Sequence, residues 1–240
     1  MIRWFFRLFQ RVKEAIFSLG PAFEFLQHHV PPVDRLTQWK FEYLRRRFEE
    51  WRPKRVLDVG CSTGHISPLL GDMLYVGLDI NRSYLRHAKR RYPAGYFLAV
   101  EEMGPHPFRD GQFDLALILC ALHHISDATL ARVLPEVERS LAPDGRVLVI
   151  EGMAAEHHAS WLVWGMLKLD MGTHFRTPQE LRTLLGRHFE VTDYREENSR
   201  EDGRGYRLPC FVLGKKGLRP EAVSGVSTVA AVANVAGAAR

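Results

Sequence analysis

A glycine-containing turn at residues 58–64, Asp-Val-Gly-Cys-Ser-Thr-Gly, carries the residue types best suited to chemistry in this chain. It follows an apolar run typical of a buried parallel strand, and a helix-compatible segment comes after it. Gly60 and Gly64 have no Cβ and can adopt positive φ, so a ligand can lie against bare backbone. The free N–H groups of a helix start would point at the same ligand. The turn is therefore predicted to hold a small molecule.

The spacing of the glycines narrows the kind of ligand. The pattern is G-x-x-x-G, which differs from the G-x-G-x-x-G of dinucleotide sites. Asp58 adds negative charge, so a ligand with a cationic end and no phosphate suits the turn better. Asp79 ends the next apolar run, 19 residues after Gly60. Its carboxylate could accept hydrogen bonds from two adjacent ribose hydroxyls; a helix cap is the alternative role of a strand-end Asp.

Strands and helices must alternate to position these residues. Five apolar runs separated by helical patterns predict a doubly wound, mostly parallel α/β sheet with ligands at the carboxyl ends of its strands. Two final strands would add an antiparallel hairpin and bring the sheet to seven strands. The predicted strands are 56–59, 74–79, 96–100, 113–119, 146–151, 189–195 and 206–215, and the predicted helices are 33–51, 65–70, 83–92, 128–141, 154–169 and 178–185.

Three segments are predicted: a helical extension at 1–53, the α/β domain at 54–216 and a disordered tail at 217–240. Residues 2–19 have the spacing of an amphipathic helix, which Gly20-Pro21 would end. Residues 1–55 hold 12 Lys/Arg and 6 Asp/Glu, whereas the remainder holds 21 and 22. The excess positive charge therefore belongs to the extension, which could form a lid over the site, lie in a membrane interface or contact a second copy as a homodimer.

The composition excludes several classes of protein. Three widely spaced cysteines make a disulfide framework improbable and favour the cytoplasm. No apolar run reaches the roughly 18 residues of a membrane span, and arginines interrupt any signal-peptide pattern at the N-terminus. No cysteine pair has metal-ligand spacing, so no metal site is expected. The near-neutral α/β domain argues against a nucleic-acid partner.

Five ordered segments resemble the motifs of class I S-adenosylmethionine-dependent methyltransferases, of the methyltransferase type 11-like kind. The glycine turn resembles the first motif, and Asp79 matches the acidic residue after the second strand. The resemblance covers about residues 54–152, with a weaker match near 189–215. Its remaining segments are Pro107–Leu115, Leu122–Ile125 and Leu141–Ile150. The cofactor that this resemblance implies is S-adenosyl-L-methionine.

The resemblance implies roles for individual residues of this chain. Gly60 and Gly64 would let the methionine part approach the backbone, Asp58 would hold its amino group and Asp79 the ribose. Ser62 stands where the family commonly has glycine, and serine is expected to tolerate the turn. The other residues expected at the cofactor are Cys61 in the turn, Ile80 on the adenine, Glu101, Glu102 and Met103 after the third strand, and Leu119 and Cys120 near the sulfonium.

Methyl transfer needs a general base only when the acceptor holds a proton. His123 and Glu151 are the candidates for that catalytic role, and a structural role is the alternative for each. Apolar residues at 161–167 follow the fifth strand, which suggests an apolar or aromatic acceptor or, alternatively, plain core packing.

The expected function is methyl transfer to a small, apolar or amphipathic acceptor. A membrane-surface enzyme acting on a lipid or quinone, at the inner face of the membrane through residues 2–19, is one alternative. A non-catalytic cofactor-binding or scaffold protein is the other. A nucleic-acid substrate is disfavoured because Cys120-Ala121-Leu122-His123 stands where nucleic-acid enzymes carry an Asn/Asp-Pro-Pro-aromatic signature.

Overall fold

The structure, a computed structural model, describes residues 20–217 except for 32, 102–106, 155–159, 162, 165, 166 and 168–171. The predicted amphipathic helix at 2–19 and the predicted tail, apart from Gly217, lie outside the described residues. So does most of the predicted helix at 154–169. The division into three segments stays a prediction.

A seven-stranded sheet has the order β3-β2-β1-β4-β5-β7-β6. β1 to β5 run parallel, and β7 is antiparallel to both β5 and β6. The predicted fold class, doubly wound with a C-terminal antiparallel hairpin, is confirmed. The strands are β1 Arg55–Val59, β2 Leu74–Asp79, β3 Tyr96–Ala99, β4 Phe113–Leu119, β5 Leu141–Ile150, β6 Phe189–Asn198 and β7 Arg207–Lys215.

Helices cover both faces of this sheet. One buried cluster joins the sheet to α4 and α5, and a second cluster on the opposite face joins it to α2 and α3. Adjacent residues of one strand belong to opposite clusters, as Val56 and Leu57 do, because successive side chains leave a strand on opposite faces. The helices are α1 Gly20–His29, α2 Val33–Trp51, α3 Arg82–Arg91, α4 Asp127–Ser140 and α5 Pro178–Leu185, with short 3₁₀ helices at Ser67–Leu69 and Leu122–His124.

One helix was missed and one predicted helix is too long. The missed helix is α1, in whose first turn Pro21 fits because its missing N–H has no intrahelical partner there. A Cβ at Gly20 would lie 2.5 Å from the Cβ of His87, so glycine is needed where α1 packs on α3. The helix predicted at 65–70 is only the 3₁₀ helix Ser67–Leu69, with Pro68 inside it.

β5 also differs from its prediction. It begins at Leu141, five residues before the predicted start, and includes the predicted turn at 143–145. Its pairing with β4 shifts register between Phe113 and Leu115. The irregular pairing accommodates the turn residues without ending the strand. At the start of α5, by contrast, the predicted capping box of Thr177 and Glu180 is present.

Candidate cofactor and acceptor site

A cavity of about 410 Å³ lies at the carboxyl ends of β1, β2 and β4. β1 pairs with β2 on one side and with β4 on the other, so the strand order reverses at this point. Ligands of doubly wound sheets bind at such a switch point. Residues of α1, α2 and β7 complete the wall; the apolar lining includes Phe23, Val33, Leu36, Leu119, Ile125, Leu167 and Leu208.

The glycine turn after β1 is held against β2. The N–H groups of Gly60 and Cys61 donate to the Leu78 carbonyl at 2.8 and 2.9 Å. Gly60 and Gly64 have φ of +81° and +69°, in the left-handed region that favours glycine. A Cβ at Gly60 would lie 2.7 Å from the Cβ of Ala121, so this glycine also allows close packing.

Ser62 is more strained than the sequence suggested. Its φ is +53°, which costs a residue with a Cβ about 1–2 kcal/mol. Its side-chain oxygen is buried without a hydrogen-bond partner among the described residues. Its N–H, however, donates to Asp79 Oδ2 at 2.9 Å and ties the turn to the end of β2. The turn therefore accommodates serine, but at the cost of a strained backbone.

Asp79 lines the cavity and is 9% exposed. Its Oδ2 accepts from Ser62, and its Oδ1 accepts the N–H of Asn81 at 2.8 Å. Desolvation by burial raises the pKa of its carboxyl group. Asn81, not Asp79, caps α3, because its side chain accepts from the N–H groups of Ser83 and Tyr84. Each Asp79 oxygen keeps acceptor capacity that two ribose hydroxyls could use.

Asp58 presents a buried carboxylate to the same cavity. The Tyr75 hydroxyl donates to Oδ2 at 2.6 Å. Oδ1 has no hydrogen-bond partner among the described residues. Burial raises the pKa of Asp58 to about 7, and Lys40 opposes this shift. An orphaned buried oxygen of this kind fits a cationic ligand group such as an ammonium.

Not all of the other predicted cofactor residues reach the cavity, and Gly64 lies outside its lining. Glu101 has a 90% exposed side chain and faces Arg82 at 3.6 Å, outside the cavity lining. Glu102 and Met103 lie outside the described residues. Ile80 is 63% exposed beside Asp79, where an aromatic base could pack. The structure brings together at the cavity Asp58, Gly60, Cys61, Ser62, Asp79, Ile80, Leu119 and Cys120.

His123 and Glu151 form a buried pair at the wall of the cavity. His123 Nδ1 lies 2.5 Å from Glu151 Oε1, and their side chains are 5% and 1% exposed. Glu151 also accepts the N–H of Gly152 at Oε1 and of Leu122 at Oε2, both at 2.7 Å. The His123 ring lines the cavity and stacks on Phe175 with centroids 4.8 Å apart. An ionised carboxylate only accepts, so Nδ1 carries the hydrogen and Nε2 is the nitrogen that can take up a proton.

Sequence reasoning missed a set of polar side chains at the cavity, which come from α1, from α2 and from the residue after the glycine turn. Gln27, Lys40 and His65 line the cavity, and each is less than 8% exposed. The helical spacing of the sequence could have identified Lys40 as a candidate. It lies on the buried stripe of α2 with Leu44 and Phe48, at four-residue spacing, where a charge is costly unless it has a partner or a ligand.

The fold and this cavity together define the class. A G-x-x-x-G turn, a carboxylate for an ammonium and a strand-end carboxylate for a ribose fit S-adenosylmethionine, and the orphaned Asp58 oxygen is the structural sign of that fit. The fold and the cavity have the features typical of class I S-adenosylmethionine-dependent methyltransferases. Within the described residues, no helix has the length and apolarity of a membrane span, and no group of three His, Cys, Asp or Glu side chains could hold a metal ion.

Comparisons with known proteins agree with this class. The methyltransferase domain family matches residues 56–145. An uncharacterized methyltransferase of Synechocystis sp. is 30% identical over 50% of this chain and 55% of its own length. A demethylmenaquinone methyltransferase of Symbiobacterium thermophilum is 27% identical over 59% of each chain. The chain thus spans about half the length of these curated relatives.

Solved structures share the fold. An S-adenosylmethionine-dependent methyltransferase from Methanosarcina mazei superposes with a TM-score of 0.58 at 21% identity. The match covers 70% of this chain and 96% of that one. The comparison shows a shared fold, and S-adenosylmethionine is the ligand that the glycine turn and the two carboxylates of the cavity fit.

Proposed function

We propose that the chain transfers a methyl group to an oxygen or nitrogen of a small, apolar or amphipathic acceptor that carries a removable proton. The buried His123–Glu151 pair is the observation that carries this proposal, because it sets a proton acceptor in the wall of a cavity whose lining is largely apolar. S-adenosylmethionine, when bound, supplies a sulfonium-activated methyl group.

The pair has the geometry of an oriented base. Glu151 is fixed by three donors, and its carboxylate holds the His123 ring in one tautomer. His123 takes the acceptor's proton as the new bond to the methyl carbon forms and the bond from that carbon to sulfur breaks. Glu151 stabilises the imidazolium that results. His123 is the proposed catalytic residue, and Glu151 positions it.

The apolar lining supports the acceptor class. The apolar residues of the lining include Leu36, Ile125, Leu167 and Leu208. The last three of these are buried. The names of relatives give acceptors of different polarity, demethylmenaquinone and trans-aconitate, so the class is argued from the cavity and not from them. Phenols, quinols and apolar carboxylic acids combine an apolar body with a removable proton.

Turnover with a panel of these three acceptor classes tests the proposal. Formation of S-adenosylhomocysteine would be measured for the wild type and for His123→Phe, which keeps a ring against Phe175. We expect His123→Phe to lower kcat by about 100-fold or more, in the range of general-base effects. Its affinity for S-adenosylhomocysteine should change by less than about threefold, since His123 is assigned to the acceptor.

Two results would contradict the proposal. One is equal turnover by His123→Phe, which would reduce the pair to a structural contact. The other is a preference for highly polar acceptors across the panel.

A membrane-surface variant of this function has one observation in its favour. Trp161 is 82% and Trp164 47% exposed, and both precede Leu167 of the cavity lining. Aromatic residues of this kind bind at membrane interfaces. Sedimentation with anionic vesicles should show binding that Trp161→Ala weakens; unchanged binding by that variant and by a protein lacking residues 1–19 would remove the basis for this idea.

A further inference from the structure

Buried polar side chains meet in one part of the cavity wall although its surroundings are apolar. Lys40 of α2 is 5% exposed, and no hydrogen bond or ion pair links its ammonium to another residue in the described part of the chain. Burial raises the pKa of Asp58 and lowers that of His65, and the positive charge of Lys40 acts on both, opposing the first shift and adding to the second. A buried cation is costly unless a counter-charge is supplied, so a ligand is the natural source.

His65 offers a second donor beside this cation. Thr63 donates to Gln27 Oε1 at 3.1 Å, which leaves the Gln27 amide nitrogen facing His65 Nδ1 at 3.5 Å. Nδ1 therefore accepts, and the ring carries its hydrogen on Nε2. Nε2 is buried and has no hydrogen-bond partner among the described residues. Burial lowers the pKa of His65 well below its ordinary value, so the ring is a neutral donor.

We propose that Lys40 and His65 Nε2–H bind the α-carboxylate of the amino-acid end of S-adenosylmethionine, opposite the Asp58 carboxylate that binds its ammonium. The argument is one of charge matching. An α-amino acid carries a cation and an anion on one carbon, and the cavity wall carries Asp58 and Lys40 with their charges uncompensated by a hydrogen-bonded partner of opposite sign. A phosphate would satisfy Lys40 but would repel Asp58. The zwitterion satisfies both.

Two helices outside the glycine turn and its strand therefore contribute to the cofactor site. Gln27 of α1 sets the tautomer of His65, and Lys40 of α2 supplies the charge. α1 and α2 thus have a defined task in cofactor binding. The inference rests on the cofactor alone and is independent of the acceptor.

Calorimetry with three ligands tests the inference on the full-length protein, without any acceptor. S-adenosylhomocysteine carries both charged groups, its decarboxylated analogue carries only the ammonium, and 5′-methylthioadenosine carries neither. Wild type should bind the decarboxylated analogue about 10- to 100-fold more weakly than S-adenosylhomocysteine, the size expected for charged hydrogen bonds.

Variants assign that loss to residues. Lys40→Met should lower the affinity for S-adenosylhomocysteine about 10- to 100-fold and change the affinities for the other two ligands by less than about twofold. His65→Phe should show the same selectivity with a smaller loss. Asp58→Asn should weaken both ammonium-bearing ligands and spare 5′-methylthioadenosine. Arg46→Met is the matched control, because it removes a charge from the exposed face of the same helix.

The inference is overturned if wild type binds S-adenosylhomocysteine and its decarboxylated analogue equally, a comparison that needs no variant to fold. It is also overturned if Lys40→Met weakens all three ligands alike, which would mark a structural role. Failure to methylate any acceptor would contradict the proposed function and would leave these affinities unaffected.

Discussion

Cofactor affinity should depend on pH through Asp58. Burial raises the pKa of this carboxyl group to about 7 in the free protein. A bound ammonium needs the ionised form, so binding in acid must first remove a proton. With a pKa near 7, the ionised fraction falls about tenfold between about pH 8 and pH 6, and affinity should fall with it. The affinity should level off above about pH 8.

The same shift predicts the stability of the ligand-free protein. The folded pKa of Asp58 lies above the unfolded one, so the contribution of this group is fully present below about pH 4 and is lost as pH rises through about 7. The shift from 3.8 to about 7 corresponds to about 4 kcal/mol of unfolding free energy. Asp58→Asn should remove this loss, because an amide does not ionise.

Calorimetry at several pH values would measure both the affinity for S-adenosylhomocysteine and the protons released, from the dependence of the heat on buffer ionisation. We expect nearly one proton released per ligand at about pH 6 and almost none at about pH 8.5. Asp58→Asn should bind more weakly with a flat profile over this range. A wild-type affinity independent of pH, or an unchanged profile in Asp58→Asn, would refute the assignment of the ammonium to Asp58.

Three further predictions concern residues that bind the cofactor or hold the cavity wall in place. Asp79→Asn should lower the affinity for S-adenosylhomocysteine by about 100-fold in calorimetry, because two charged hydrogen bonds to the ribose are lost. The control Asp72→Asn, at an exposed position, should leave this affinity unchanged. Gly60→Ala should lower the unfolding free energy by more than about 2 kcal/mol in denaturant titration, since its Cβ would meet a side-chain carbon at 2.7 Å. Gly71→Ala, with positive φ and nothing within 4 Å, should cost only about 1 kcal/mol, and equal losses would contradict the packing argument. Glu151→Gln should lower the unfolding free energy by about 1–3 kcal/mol, because the glutamine amide nitrogen must face one of the three donors. An unchanged melting temperature would contradict the described network.

The sheet was predictable because its strands are buried on both faces. β2 and β4 have the predicted bounds, since continuous apolar runs mark such strands clearly. The glycine turn and Asp79 were predictable because a ligand that approaches bare backbone requires particular residue types. The helix α1 was not predictable, because a Gly-Pro pair is as typical of a helix end as of a helix start and gives no sign that the residues after it pack on α3.

The polar wall of the cavity was beyond sequence reasoning for a different reason. Lys40, Gln27 and His65 come from segments up to 38 residues apart and belong to no shared motif. Only the packing of α1 and α2 over the end of the sheet brings them together. Ser62 shows the same limit, because its positive φ is set by the hydrogen bond of its N–H to Asp79 and not by its own preference.

A structure of the protein with S-adenosylhomocysteine bound tests the central claim most directly. The account predicts the ribose hydroxyls on Asp79, the ammonium on Asp58 and the carboxylate on Lys40, with the sulfur facing the apolar space toward His123. A ligand whose amino-acid end lies away from Asp58 and Lys40, or whose sulfur faces away from His123, would contradict it.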